Sequence, residues 1–159
     1  VNVDNAIQDV EWTTIAFFMA LFVVVGGLTE TGVIKQVAAV IIERTAGHPV
    51  IMMLILLWAS ALLSSFLNNI PFIATLIPLV LALKADGMDA EPLWWAISLG
   101  ACLGGNGTMI GASANVVLSD ISTKHGYPIT FKSYLRVGMP FMLGSVFISM
   151  VFLLVKYAI

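Results

Sequence analysis

Residues 64–78 read SSFLNNIPFIATLIP. Two adjacent amides, Asn68 and Asn69, and a proline, Pro71, stand inside an uncharged run that covers residues 49–83, the longest in the chain. As one helix these 35 residues would be about 52 Å long at 1.5 Å per residue, whereas a bilayer core of about 30 Å needs about 20 helical residues. The run is therefore not one straight span. Cut at the asparagines, it leaves about 18 apolar residues before and about 12 after, and the second piece is too short to cross. A re-entrant hairpin over residues 50–83 satisfies both lengths: the chain enters, turns at Asn-Asn-Ile-Pro inside the membrane and leaves on the side it came from. Pro71 suits the first turn of the returning helix, where its missing N–H costs nothing. Ile70 before it is expected to be pushed out of helical geometry, and Pro78 to kink the returning helix.

The rest of the chain supports a membrane setting. It is 60% hydrophobic and only 10% charged, where soluble domains carry about a quarter charged residues. The charges cluster between four uncharged stretches, 12–29, 49–83, 92–119 and 137–155. The net charge of −2 is small and dispersed, and no nucleic-acid partner is expected. The opening VNVDNAIQDVE is acidic and lacks the cationic start of a signal peptide, and the expectation is one segment of a longer polypeptide. The single Cys102 has no internal disulfide partner and reads as a small packing residue.

Residues 12–29 fit one span, with Trp12 as its interfacial anchor, and 137–157 fit another. Between the first span and the hairpin, Val33, Ile34, Val37, Ala38, Val40 and Ile41 recur at helical spacing opposite Lys35, Gln36 and Glu43. That pattern predicts an interfacial helix over 33–46, stopped by Gly47 and Pro49. Residues 93–119 repeat the hairpin's device: apolar flanks enclose GGNGTMIGASAN (104–115), and each interior glycine costs a helix about 1 kcal/mol relative to alanine. A broken helix is predicted. Residues 120–136 form a polar connection with a short amphipathic piece around Phe131 and Leu135. The fold class is thus an all-α membrane protein, with 1–159 read as a single transmembrane unit.

Irregular backbone at membrane depth persists only where protein or a water-filled cavity satisfies its hydrogen bonds, so two breaks imply a shared polar site. Helix ends at such breaks coordinate cations through carbonyls and anions through N–H groups. Backbone carbonyls around 67–69 and 103–105, with the side chains of Asn68, Asn69, Asn106, Thr108, Ser113 and Asn115, are the candidate ligands, and a sodium site is expected near Asn69, Gly105 and Asn115. Neutral oxygens of this kind suit a hard monovalent cation; a neutral polyhydroxylated substrate also fits.

No Asp, Glu, His, Lys or Arg lies within 49–83 or 92–119. Any proton coupling must therefore use groups elsewhere, or Glu30, Asp120 or His125 near the span ends. Simpler roles compete. Gly100 and Gly104 suit close helix packing as well as a site, and Asn68 or Asn69 suits a helix cap. Asn106 and Asn115 suit interhelical bonds, and His48 and His125 suit the interface. No nucleophile, base or metal constellation is present, so an enzyme is not expected, and no cofactor is implied.

The order EWTTIAFFMALFVVVGGLTETGVI, SSFLNNIPFIATLIPLV, LGGNGTMIGASANVV and HGYPITFKSYLRVGMP resembles the C-terminal half of permeases of the ion transporter superfamily, in the branch of arsenite permeases, sodium/proton antiporters and the pigment-cell P protein. The resemblance implies two inverted repeats, this chain being the second, with a hairpin that opens to the extracellular side and an elevator-like movement. Its site residues map onto Asn68 and Asn69 and onto Asn106, Gly107, Thr108, Ser113 and Asn115. It implies a multi-pass protein of the plasma or inner membrane whose partners are the bilayer, the complementary N-terminal repeat or a second protomer, and a small ion substrate, with sodium or protons as coupling ion. Related dicarboxylate/sodium symporters carry Ser-Asn-Thr at the hairpin tip where this chain has Asn68-Asn69-Ile70, which argues against a dicarboxylate. Anion symport and a non-transporting membrane interaction module are the alternatives.

Overall fold

The computed structural model describes residues 12–45 and 48–157. Their regular structure is entirely helical: α1 Trp12–Glu30, α2 Val33–Thr45, α3 Pro49–Ser64, α4 Asn69–Ala85, α5 Ala90–Gly104, α6 Ser113–Lys124 and α7 Phe131–Tyr157. The side chain of Trp12 and the whole of Gly47, both given roles above, lie outside the described residues.

The helices begin and end for local reasons. Pro49 opens α3 at the position where a missing N–H is harmless. Asn68 caps α4, its Oδ1 accepting from Ile70 N at 3.3 Å. That cap corrects the expectation for Ile70, which is helical: the capped turn outweighs the usual bias of a residue before proline. Asp89 caps α5 through Glu91 N at 3.1 Å. α7 starts at Phe131, six residues before the predicted span. There Thr130 and Ser133 cap reciprocally, Thr130 N donating to Ser133 Oγ at 3.0 Å and Ser133 N to Thr130 Oγ1 at 3.2 Å. α4 runs through Pro78 and α7 through Pro140. Gly87 and Gly126, at φ 89° and 85°, follow α4 and α6 in the left-handed conformation that glycine adopts without strain.

At the centre α3 and α5 lie side by side and parallel. The buried stripe of α5, Ala90, Leu93, Ile97, Gly100, Ala101 and Gly104, follows the helical period and meets Leu57, Ser60 and Ala61 of α3. A Cβ on Gly100 would collide with Leu57 O, and one on Gly104 with Ala61 O, so both glycines serve close packing. Cys102 falls on the opposite face and is exposed, contrary to its expected packing role. α7 runs antiparallel to this pair, burying Met142, Val146 and Leu153, and Trp58 Nε1 of α3 lies 3.3 Å from the sulfur of Met150. α4 packs on α5 and α2 rather than lining α3, so the two hairpin arms are separated by their neighbours except near the turn.

The bundle has two unlike ends. At one, Tyr157 Oη donates to Glu91 Oε1 at 2.8 Å, Lys156 Nζ lies 3.5 Å from the same oxygen, and Pro49, Val50 and Pro92 adjoin Tyr157. α3 enters here and α4 returns here. At the other end lie the turn 65–68 and the break 105–112. α7 is long and apolar enough by itself to cross a membrane, and parts of α1 and α2 pass that test as a pair bent by 66°. With Phe147, Ile148, Phe152 and Val155 of α7 presented outward, the chain is an all-α membrane protein.

Candidate functional site

α5 stops where its glycines begin. Gly107 N donates to Gly104 O at 2.8 Å and Asn106 N to Leu103 O at 3.1 Å, a tight last turn that leads into irregular backbone. This segment lies directly against the hairpin turn. Thr108 is fully buried and its Oγ1 donates to Ser65 O. A Cβ on Gly107 would stand 2.7 Å from Ser65 Oγ, and one on Gly111 2.8 Å from Ser65 O. Glycine is required at 111 because backbone meets backbone there, and at 107 because the Ser65 side chain closes on it. Ser64 Oγ adds a bond to Ala101 O at 2.7 Å. The hairpin turn and the helix break therefore form one locus.

Asn115, in the first turn of α6, holds the far side. Its Nδ2 donates to Gly105 O at 2.9 Å and to Thr108 O at 3.1 Å, so one side-chain amide spans the break. On the flank, Asn106 lines a cavity of about 400 Å³ with Ser133, Tyr134, Val137, Gly138 and Phe141 of α7. Gly138 is needed there, since a Cβ would lie 2.6 Å from Asn106 O and 2.8 Å from the Tyr134 ring.

The structure thus brings Gly105, Gly107, Thr108 and Asn115 together and sets Asn106 beside them. Ser113, first residue of α6, is exposed; Asn68 is exposed and occupied as the α4 cap; Asn69 is half-buried as the first residue of α4. None of these three has a described hydrogen bond to the break. Residues not singled out from sequence are Ser64, Ser65, Tyr134 and Gly138. Ser65 acts largely through its carbonyl, which carries no sequence signal, whereas the Thr130/Ser133 spacing was a readable start for the helix that carries Tyr134.

The chemistry of the locus is one-sided. Ser64, Ser65, Thr108 and Asn115 all direct their protons to backbone carbonyls, those of Ala101, Ala61, Ser65, and Gly105 with Thr108. What they leave available is oxygen lone pairs. N–H groups remain at the start of α6, whose cap position Ala112 makes no side-chain bond. Among the described residues no group of three or more His, Cys, Asp or Glu side chains is placed to hold a metal.

Residues 1–100 match the family model described as Citrate transporter. The chain is 44% identical over 158 residues to the P protein of Homo sapiens, covering 94% of this chain and 19% of that protein. It is 38% identical over 156 residues to the 46 kDa membrane protein of Mycobacterium leprae, covering 96% and 36%. To an uncharacterized transporter of Synechocystis it is 37% identical over 171 residues, covering 95% and 37%. The chain spans from about a fifth to just over a third of the length of these curated relatives. No solved structure matches. An apolar helical chain in which more than half the residues match that model, and whose relatives include proteins named as transporters, belongs to the citrate transporter family of membrane transporters.

Proposed function

We propose that this chain is the substrate- and ion-binding half of a secondary active transporter that moves a small ion or oxyanion, such as sodium or arsenite, coupled to a sodium or proton gradient through an elevator-type movement. The observation that carries this reading is the convergence of turn and break at Ser65 and Thr108, with glycines at 107 and 111 admitting close contact with Ser65. Irregular backbone in a membrane protein is tolerated where it lines a cavity or is buried in protein, and paired helix breaks are how many secondary transporters build ion sites. Carbonyl oxygens and outward lone pairs favour a cation there. Asn69, Gly105 and Asn115 are the residues we assign to the sodium end; Asn68, Asn106, Gly107, Thr108 and Ser113 complete the site. The hairpin is read as re-entrant, with the complementary repeat or a second protomer closing the site in the plasma or inner membrane.

A second reading is sodium-coupled symport of a carboxylate. It is favoured by the family's description as a citrate transporter and by the uncapped N-terminus of α6, whose N–H groups suit an anion.

The test is a preformed pH gradient across vesicles holding the full-length protein that contains this chain, challenged separately with sodium, lithium, arsenite, and citrate with sodium. Sodium or lithium should dissipate the gradient, and Asn69→Ala and Asn115→Ala should abolish the response while expression is kept. A response only to citrate with sodium would establish the second reading. Silence to all four, or full activity in both variants, would overturn the assignment.

A further inference from the structure

A carboxamide that bridges two main-chain carbonyls is doing the work of a small cation. Asn115 Nδ2 lies 2.9 Å from Gly105 O and 3.1 Å from Thr108 O, and only the nitrogen end of the amide can donate to both. Gly105 is the C-cap of α5, so its carbonyl lies at the negative pole of that helix, the natural resting place for positive charge. We infer that the Asn115 side-chain amide is a built-in substitute for the coupling cation, and that it turns over to become a ligand when the cation binds. This rests on the cation-coupled reading above.

The exchange needs no change of volume. The terminal torsion of asparagine is broad and two-fold, and a half-turn swaps Nδ2 for Oδ1 at the same place. Before it, the amide protons satisfy both carbonyls, which would otherwise face one another with no donor between them. After it, Gly105 O, Thr108 O and Asn115 Oδ1 converge on one point, three neutral oxygens suited to sodium. Thr108 O keeps its bond from Gly111 N, 3.3 Å in length, so the segment retains its shape in both states. Because the ion must displace two hydrogen bonds to enter, binding is weakened and release eased. The empty carrier also stays assembled.

The experiment is thermal unfolding of the purified full-length protein containing this chain, titrated with sodium chloride at constant ionic strength made up with choline chloride. Wild type should be stabilised by sodium. Asn115→Asp cannot donate to the carbonyls when ionised and adds a charged ligand. It should be less stable than wild type in choline, and its sodium midpoint should fall about tenfold, since ligand charge tunes cation affinity. An unchanged sodium midpoint, with equal loss of stability in both salts, would make Asn115 a structural staple and overturn the inference while leaving cation coupling intact. No sodium response in wild type would overturn both; the vesicle assay would still decide transport. Should the aspartate variant fail to fold, infrared difference spectra of wild type labelled with carbon-13 at the asparagine side-chain carbonyl carry the same test. A sodium-dependent shift of that band is expected, and no shift overturns the exchange.

Discussion

Thr108 has no exposed surface, and its hydroxyl proton goes to a carbonyl 43 positions earlier in the chain. Replacing it by valine keeps the shape and leaves Ser65 O buried without that donor, which costs about 1–3 kcal/mol. Thr108→Val should therefore unfold at a lower temperature than wild type in detergent, while Thr108→Ser, which keeps the donor, should lose less. Equal unfolding of Thr108→Val and wild type would show that the bond does not hold the hairpin turn to the break. Thr108 was legible in the sequence because a hydroxyl among glycines in an apolar stretch demands a partner. That partner was not, because any residue supplies a carbonyl, and nothing in SSFLNN says which one will face a segment 43 residues away.

Among the elements, the α3–α5 pair controls where the break sits. Gly104 rests on the backbone of Ala61, and backbone cannot give way as a flexible side chain can. Gly104→Ala should cost about 1–3 kcal/mol by overpacking, lifting the start of the break off the hairpin turn. Gly144→Ala in α7 meets nothing within 4 Å in this chain and should be neutral or slightly stabilising, as glycine is a poor helix former. Unfolding temperatures of the two variants check the contrast; equal effects would mean that the close approach does not govern stability. Glycine spacing is also why the broken helix could be read from sequence: five glycines within 100–111 are incompatible with a continuous helix at small cost. The same spacing cannot name the partner. An apolar stripe records that a face is covered and not by what, which is why the separation of α3 from α4 by α5 and α2 had no forewarning. The early start of α7 has a different cause, since Thr130 and Ser133 stand at capping distance inside a segment whose charges and turn residues read as a polar connection.

At the scale of the whole molecule, α7 is a ruler. Its 27 residues extend about 40 Å; Tyr157 at one end holds Glu91, and near the other Ser119 Oγ donates to Ile129 O at 3.2 Å. The start of α5 and Ser119 of α6 are thus held near opposite ends of a helix longer than the bilayer core of about 30 Å, although neither α5 nor α6 is long enough to cross alone. Arg136 and Lys156 bracket the uncharged part of α7, and Gly138, which touches Asn106, lies only two residues inside Arg136. The break is therefore reached from the Arg136 side across less than a turn of α7 and from the other side only along most of the bundle's length. Single cysteines at Asp89 and His125, placed in the full-length protein with its other cysteines replaced, should react with a membrane-impermeant thiol reagent from opposite faces. With the hairpin opening outward, Asp89→Cys should be labelled in intact cells and His125→Cys only in inverted vesicles. Labelling of both from one face would mean that α5 and α6 do not together traverse the membrane, and the broken span would have to be abandoned for two helices that dip in and return.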